Sequence, residues 1–133
     1  MKKKLEPQMP LALLCGVLED SGRYLFLKRK DRLGKETIEL PCVLVLRGEN
    51  QVASISSAFN TKTGIDGQIH EVIFESRFNF GSRKRKNWLP VLCFRVTAKN
   101  MSAHPSAEFS GFAWRTNEDA RKERLGRDLE WFR

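Results

Sequence analysis

The hydrophobic pattern of this chain switches between the period of a strand and the period of a helix. Leu11 to Leu18 and Tyr24 to Lys28 are apolar or β-favouring stretches, and Glu19-Asp20-Ser21-Gly22 between them is a polar turn with a glycine free to take positive φ. A β-hairpin is expected. The charged run from Arg29 to Glu36, which includes Gly34, predicts a loop before a short extended piece at Thr37-Ile38-Glu39-Leu40. Pro41 then biases Leu40 away from helix. Cys42 to Leu46 reads as a buried strand, and Arg47-Gly48-Glu49-Asn50 as a turn whose asparagine can cap a helix.

From Gln51 to Thr63 the apolar residues Val52, Ile55 and Phe59, with Ala58 beside them, fall on a helical stripe, and Gly64 is a suitable terminator. Ile69 to Phe80 and Trp88 to Ala98 are two long strand candidates joined by the basic connection Gly81 to Asn87. Pro90 requires the second of them to be bent or at an edge at that point. A polar loop at Lys99 to Ser106 precedes a last strand around Phe109 to Trp114. The helical end that follows starts at Thr116-Asn117-Glu118-Asp119, and Gly126 separates a final turn with Leu129, Trp131 and Phe132. Hairpin, strand, helix, hairpin, strand and helix in that order predict an α/β or α+β fold.

Length and composition narrow this. With 133 residues, 41% of them hydrophobic, the chain can bury one core and is too short for two domains, so residues 1–133 are read as one domain, with 1–9 as a flexible basic head. Pro7 and Pro10 interrupt any signal peptide after Lys2-Lys3-Lys4, and no apolar run approaches the length of a membrane span. Cys15, Cys42 and Cys93 are odd in number and lie in apolar runs, which suits reduced buried thiols and a cytoplasmic location. His70 and His104 lack the spacing of a zinc site. The 24 Lys and Arg against 16 Asp and Glu, a net charge of +8, favour polyanionic partners such as nucleotides or RNA.

Glu39-Leu40-Pro41, followed at a distance by Thr63-Gly64-Ile65, resembles the frame of the Nudix box, G-x5-E-x7-R-E-U-x-E-E-x-G-U, in which U is a bulky aliphatic residue. Laid without a gap after Pro41, the box puts its first glycine at Val43, its isolated glutamate at Glu49 and its arginine at Ser57. Its first clustered glutamate falls on Ala58, the bulky position on Phe59, the paired glutamates on Thr61 and Lys62, and the closing pair on Gly64 and Ile65. The order of elements resembles the family from about Pro10 to Phe132. The resemblance implies a Nudix fold, a mixed β-sheet sandwiched between α-helices, and a homodimer is a common state in the family.

In that family, clustered carboxylates act with Mg²⁺ to break a pyrophosphate linkage. Positions 58, 61 and 62 share one helix face, but here they carry Ala, Thr and Lys, so neither a magnesium site nor another cofactor is expected. Ser57 replaces the bracing arginine, and Cys42-Val43 replaces the paired glycines. The chain is therefore expected to be a non-hydrolytic Nudix-fold protein that binds a nucleotide-like, nucleic-acid or protein ligand.

Two alternatives stand beside it. An active hydrolase cleaving a nucleoside diphosphate derivative would need Mg²⁺ held by relocated ligands drawn from Glu49, Glu71, Glu75 and Glu108, with Glu49 and Glu108 as the candidate catalytic groups. An RNA-associated module would use Arg83-Lys84-Arg85-Lys86 with the aromatic neighbours Phe78, Phe80 and Trp88. For phosphate binding the candidates are Lys62, whose ammonium can replace a metal as counter-charge without activating water, and Lys28 and Arg29 after the second strand.

Overall fold

The computed structural model describes residues 9–132; the basic head lies outside them except for Met9. The elements run β1 (Pro10–Asp20), β2 (Arg23–Lys30), β3 (Glu36–Glu39), β4 (Cys42–Leu46), α1 (Gln51–Thr63), β5 (Gln68–Asn79), β6 (Trp88–Thr97), β7 (Gly111–Arg115), α2 (Asn117–Lys122) and a final 3-10 helix (Arg127–Phe132).

β1 organises the mixed sheet. Its first part pairs antiparallel with β4, and the stretch Leu13 to Leu18 pairs parallel with β6. Its end turns away so that Glu19 and Asp20 pair with Tyr24 and Arg23 of β2. β2 carries β3 on one side and β7 on the other, and β5 closes the far edge against β6. Pro90 faces Arg77 of β5, while pairing with β1 begins one residue later at Val91, so its missing N–H falls where the strand has lost one neighbour.

Alternation along β1 divides the core. Ala12 and Leu14 pack with Val45, Phe94 and Ile55 on the side covered by α1. Leu13 and Cys15 face the opposite side, against Phe26, Leu40, Cys42 and the C-terminal residues Ala120, Leu125 and Leu129. The three cysteines stand in a row across the sheet, Cys42 and Cys93 flanking Cys15 in register, and all are free and buried. Bonding to Cys42 and Cys93, then burial, pushes the Cys15 thiol well up, away from the reactive thiolate.

α1 has the expected bounds and caps. The Asn50 side chain accepts a hydrogen bond from Ala53 N at 2.9 Å, and Gly64, at φ 72°, donates from its own N–H to Asn60 O. Its buried residues are Ile55, Phe59 and Thr63, while Val52, expected on the apolar stripe, is 50% exposed. The buried line runs at i, i+4, i+8, which leaves the first helical turn outside the contact with the sheet. A Cβ on Gly64 would lie 2.5 Å from the His104 carbonyl oxygen. Gly64→Ala combines that clash with a left-handed backbone, and a loss of roughly 2 kcal/mol or more in unfolding free energy is expected by chemical denaturation.

Candidate functional site

α1 and β4 enclose an open groove of about 610 Å³. Its floor is the face of α1 formed by Ser54, Ser57, Ala58, Thr61 and Lys62, with Val43 and Leu44 of β4 opposite and Glu49 and Glu108 also in its wall. Residues three and four apart on a helix are neighbours, so the side of α1 next to the buried stripe of Ile55 and Phe59 supplies this face. The polar loop Lys99 to Ser106 is fixed onto the end of the helix: His104 N donates to Thr63 O at 2.8 Å and Ser106 N to Lys62 O at 3.2 Å. These bonds satisfy carbonyls of the last turn and carry Glu108 to the groove.

Lys62 is the cation inside the groove. Its Nζ donates to the Cys42 carbonyl oxygen at 2.7 Å, and it forms no ion pair among the described residues. An ammonium has three donors, so this bond leaves two. Glu49 Oε1 accepts from Leu46 N at 2.6 Å, which closes the turn ahead of the helix. Glu108 receives Arg29 Nη2 at 3.4 Å and the Ser106 hydroxyl at 3.3 Å.

Arg29 is bound to acids rather than free for a ligand. Its Nε lies 2.7 Å from Glu39 Oε1, a carboxylate whose side chain is only 8% exposed, and its guanidinium stands 4.7 Å over the Phe109 ring. The bond to Glu39, reinforced by Glu108, raises the guanidinium further above its ordinary value, so it stays charged. Lys28 does not join it: adjacent strand residues face opposite sides, and Lys28 does not line the groove.

Glu71 and Glu75 are also elsewhere. β5 is separated from β4 by β6 and β1, and neither glutamate reaches the groove. Register shifts between Ile69 and Phe74 further break the alternation that would have put the two on one face. Glu71 instead holds Arg95 at 2.9 and 3.1 Å, and this bond lowers its carboxyl to about 2. Arg83, Lys84, Arg85 and Lys86 sit at the tip of the β5–β6 hairpin, outside the groove. His70 bonds Thr97 Oγ1 at 2.7 Å.

Two arrangements escaped the sequence reading. Glu39, Cys42 and Asp128 bring one ligand atom each within 4.8 Å of one another, with Cys42 Sγ 3.8 Å from Asp128 Oδ2, but Glu39 is already committed to Arg29. The second is an apolar pocket of about 190 Å³ between β2, β5 and the C-terminal helices, lined by Tyr24, Phe26, Phe74, Trp131 and Phe132 with Asn117 and Arg121 at its polar end. Phe74 stacks on Trp131 with centroids 5.8 Å apart. The alternation of Tyr24 and Phe26 on one strand face and the terminal Trp131-Phe132 pair were the available signals.

No helix among the described residues is long and apolar enough to cross a membrane. No protein-family model matches the sequence, and no curated protein matches it. Solved structures do match. The solution structure of the E. coli ORF135 protein is 14% identical with a TM-score of 0.72, over 92% of this chain and 85% of that one. MutT from Methanosarcina mazei Go1 is 19% identical with a TM-score of 0.70, over 97% and 94%. The NUDIX domain of Shewanella oneidensis NrtR, solved as a complex with ADP ribose, is 15% identical with a TM-score of 0.62, over 91% and 82%. The mixed sheet around β1, the capped helix α1 against it and these superpositions together give this chain the fold of the Nudix, or MutT-like, hydrolases.

Proposed function

We propose that the groove between β4 and α1 binds the phosphate groups of a nucleotide-like ligand and does not carry out magnesium-dependent hydrolysis. The observation that carries this reading is the Lys62 ammonium, held by the Cys42 carbonyl in the groove where the Nudix frame has a carboxylate. The side chains present do not fit a magnesium ion. Ala58 has no donor, Thr61 offers a neutral hydroxyl, and Lys62 would repel a cation at about 4 Å by roughly 1 kcal/mol per charge product in water and more where water is excluded. The carboxylates that line the groove, Glu49 and Glu108, are engaged by Leu46 N and by Arg29.

An ammonium with free donors favours phosphate oxygens without activating water. The aromatic pocket is concave, mostly apolar and has a few polar groups, features that suit a planar ring. The NrtR neighbour bound to ADP ribose supports the same class of ligand for this chain.

Titration calorimetry with ADP and ADP-ribose in the presence of a chelator tests the reading. Binding is expected without metal, and Lys62→Met is expected to weaken it by about tenfold or more, the loss of one charge-assisted bond. Mg²⁺-dependent release of phosphate or nucleoside monophosphate, abolished by Glu49→Gln, would overturn it in favour of a hydrolase with relocated ligands.

A further inference from the structure

We propose that the tip of the β5–β6 hairpin is a second ligand site, which binds single-stranded nucleic acid: the cations of the tip meet the phosphodiester chain and Trp88 stacks on a base. The first observation is charge. Arg83, Lys84, Arg85 and Lys86 are consecutive and exposed, and none forms an ion pair among the described residues; the same holds for Arg77 and Arg127, which flank them.

The second observation is that this cationic tip is built rather than loose. Asn79 Oδ1 accepts from both Gly81 N and Asn87 N at 3.0 Å, and Phe80 N donates to Asn87 O at 2.8 Å. Ser82 closes the turn, its N–H donating to Arg85 O at 3.0 Å and its hydroxyl accepting from Arg85 N at 3.0 Å. Arg127 Nη2, from the final 3-10 helix, donates to the carbonyls of Phe80 and Gly81 at 3.0 and 3.1 Å. A Cβ on Gly81 would clash with the Arg85 carbonyl oxygen, so the turn depends on glycine there. A preformed tip loses less entropy on binding than a flexible basic tail would.

The third observation selects the partner. Trp88 is 52% exposed at the base of the tip, and its ring has no aromatic or cationic partner among the described residues. In register it stands opposite Asn79, as Pro90 stands opposite Arg77, so Trp88 and Arg77 share one sheet face as diagonal neighbours. An exposed indole beside unpaired cations is the arrangement that takes an unstacked base and its phosphates. A paired duplex keeps its base faces covered, and an acidic protein offers carboxylates without the ring. This surface is separate from the groove and does not depend on how the groove is read.

Fluorescence anisotropy of labelled oligo-U and oligo-dT of about twelve nucleotides tests the proposal with the full chain. Replacing Arg83, Lys84, Arg85 and Lys86 by Gln is expected to lower the slope of log Kd against log salt by about 3, given roughly 0.7 per phosphate contact on a single strand. Trp88→Ala is expected to weaken oligonucleotide binding by about fivefold or more, and Trp88→Phe to retain most of it. Heparin, a polyanion without bases, is expected to bind Trp88→Ala as it binds the unaltered chain, and Lys62→Met is expected to leave oligonucleotide binding intact. Tighter binding of oligo-U identifies RNA as the source, and tighter binding of oligo-dT identifies DNA. An unchanged salt slope in the Gln variant, Trp88→Ala binding oligonucleotide at full strength, or equal affinity for duplex or for polyglutamate would overturn the proposal.

Discussion

Glutamate at positions 58, 61 and 62 together is expected to turn the groove into a divalent-cation site, raising affinity for Mn²⁺ or Mg²⁺ by about a hundredfold or more over the unaltered chain. The triple replacement of Ala58, Thr61 and Lys62 adds three carboxylates to one helix face and removes the ammonium from it. At about 4 Å each charge changes the energy of a divalent ion by roughly 2 kcal/mol even at the dielectric of water. Desolvation offsets part of the sum, and a net gain of about 3 kcal/mol already corresponds to a hundredfold. The cost to the fold is the bond from Lys62 to the Cys42 carbonyl and little more, because Thr61 is exposed and Ala58 and Lys62 are only half-buried. Like charges three and four apart destabilise the helix by a few tenths of a kcal/mol per pair, roughly 0.2–0.5. Calorimetric titration with MnCl₂ reads the outcome, and circular dichroism checks the helix. A folded triple variant that binds the ion no better than the unaltered chain would show that the missing carboxylates are not what separates this groove from a metal site.

Phe59→Ala is expected to cost about 3–5 kcal/mol and to lower the melting temperature by roughly 10–20 °C. Phe59 is fully buried, and its ring is clamped by two positions without a side chain. A Cβ on Gly16 of β1 would approach the ring at 2.7 Å, and a Cβ on Gly67, just before β5, would approach it at 2.8 Å. The ring fills the space those glycines leave, against Leu18, Leu25, Ile65 and Val96, and locks α1 onto the sheet. Truncation leaves a cavity that rigid strands on one side and the docked His104 loop on the other cannot close. Because a domain is stable by only about 5–15 kcal/mol in total, this one residue holds a large share of it. Thermal and urea unfolding measure the effect, and a loss under about 1 kcal/mol would mean that α1 is held mainly by its other contacts.

Phe59 and the groove positions 58, 61 and 62 lie on adjoining faces of the same helix, at the limit of what local pattern can encode. The bounds of α1 were legible because its start and stop signals are local: Asn50 reaches Ala53 N, three residues on, and Gly64 takes the left-handed conformation other residues avoid. The strands at Leu11 to Leu18, Tyr24 to Lys28 and Cys42 to Leu46 were legible for the same reason, since alternation and turn residues act over a few positions. The helical period also determined that positions 58, 61 and 62 share a face and that this face has no carboxylate.

Only the tertiary structure decided which groups oppose that face and what each is already bound to. Lys62 meets a carbonyl twenty residues earlier, Arg29 meets Glu39 across a strand pair and Glu108 across the molecule, and the aromatic pocket gathers side chains from β2, β5 and the final helix. Val52 was misplaced because periodicity gives a helix a side but not the length over which the sheet reaches it. The place of Glu71 and Glu75, candidates for relocated ligands, was not legible because register shifts in β5 and the order of strands are set by pairing between distant segments. By itself, then, the sequence determined the elements, their caps and a helix face that carries Ala58, Thr61 and Lys62 and no carboxylate. Folding decided that the cation on that face lies in a groove with donors to spare, because a contact between residues far apart in the chain depends on the path of everything between them.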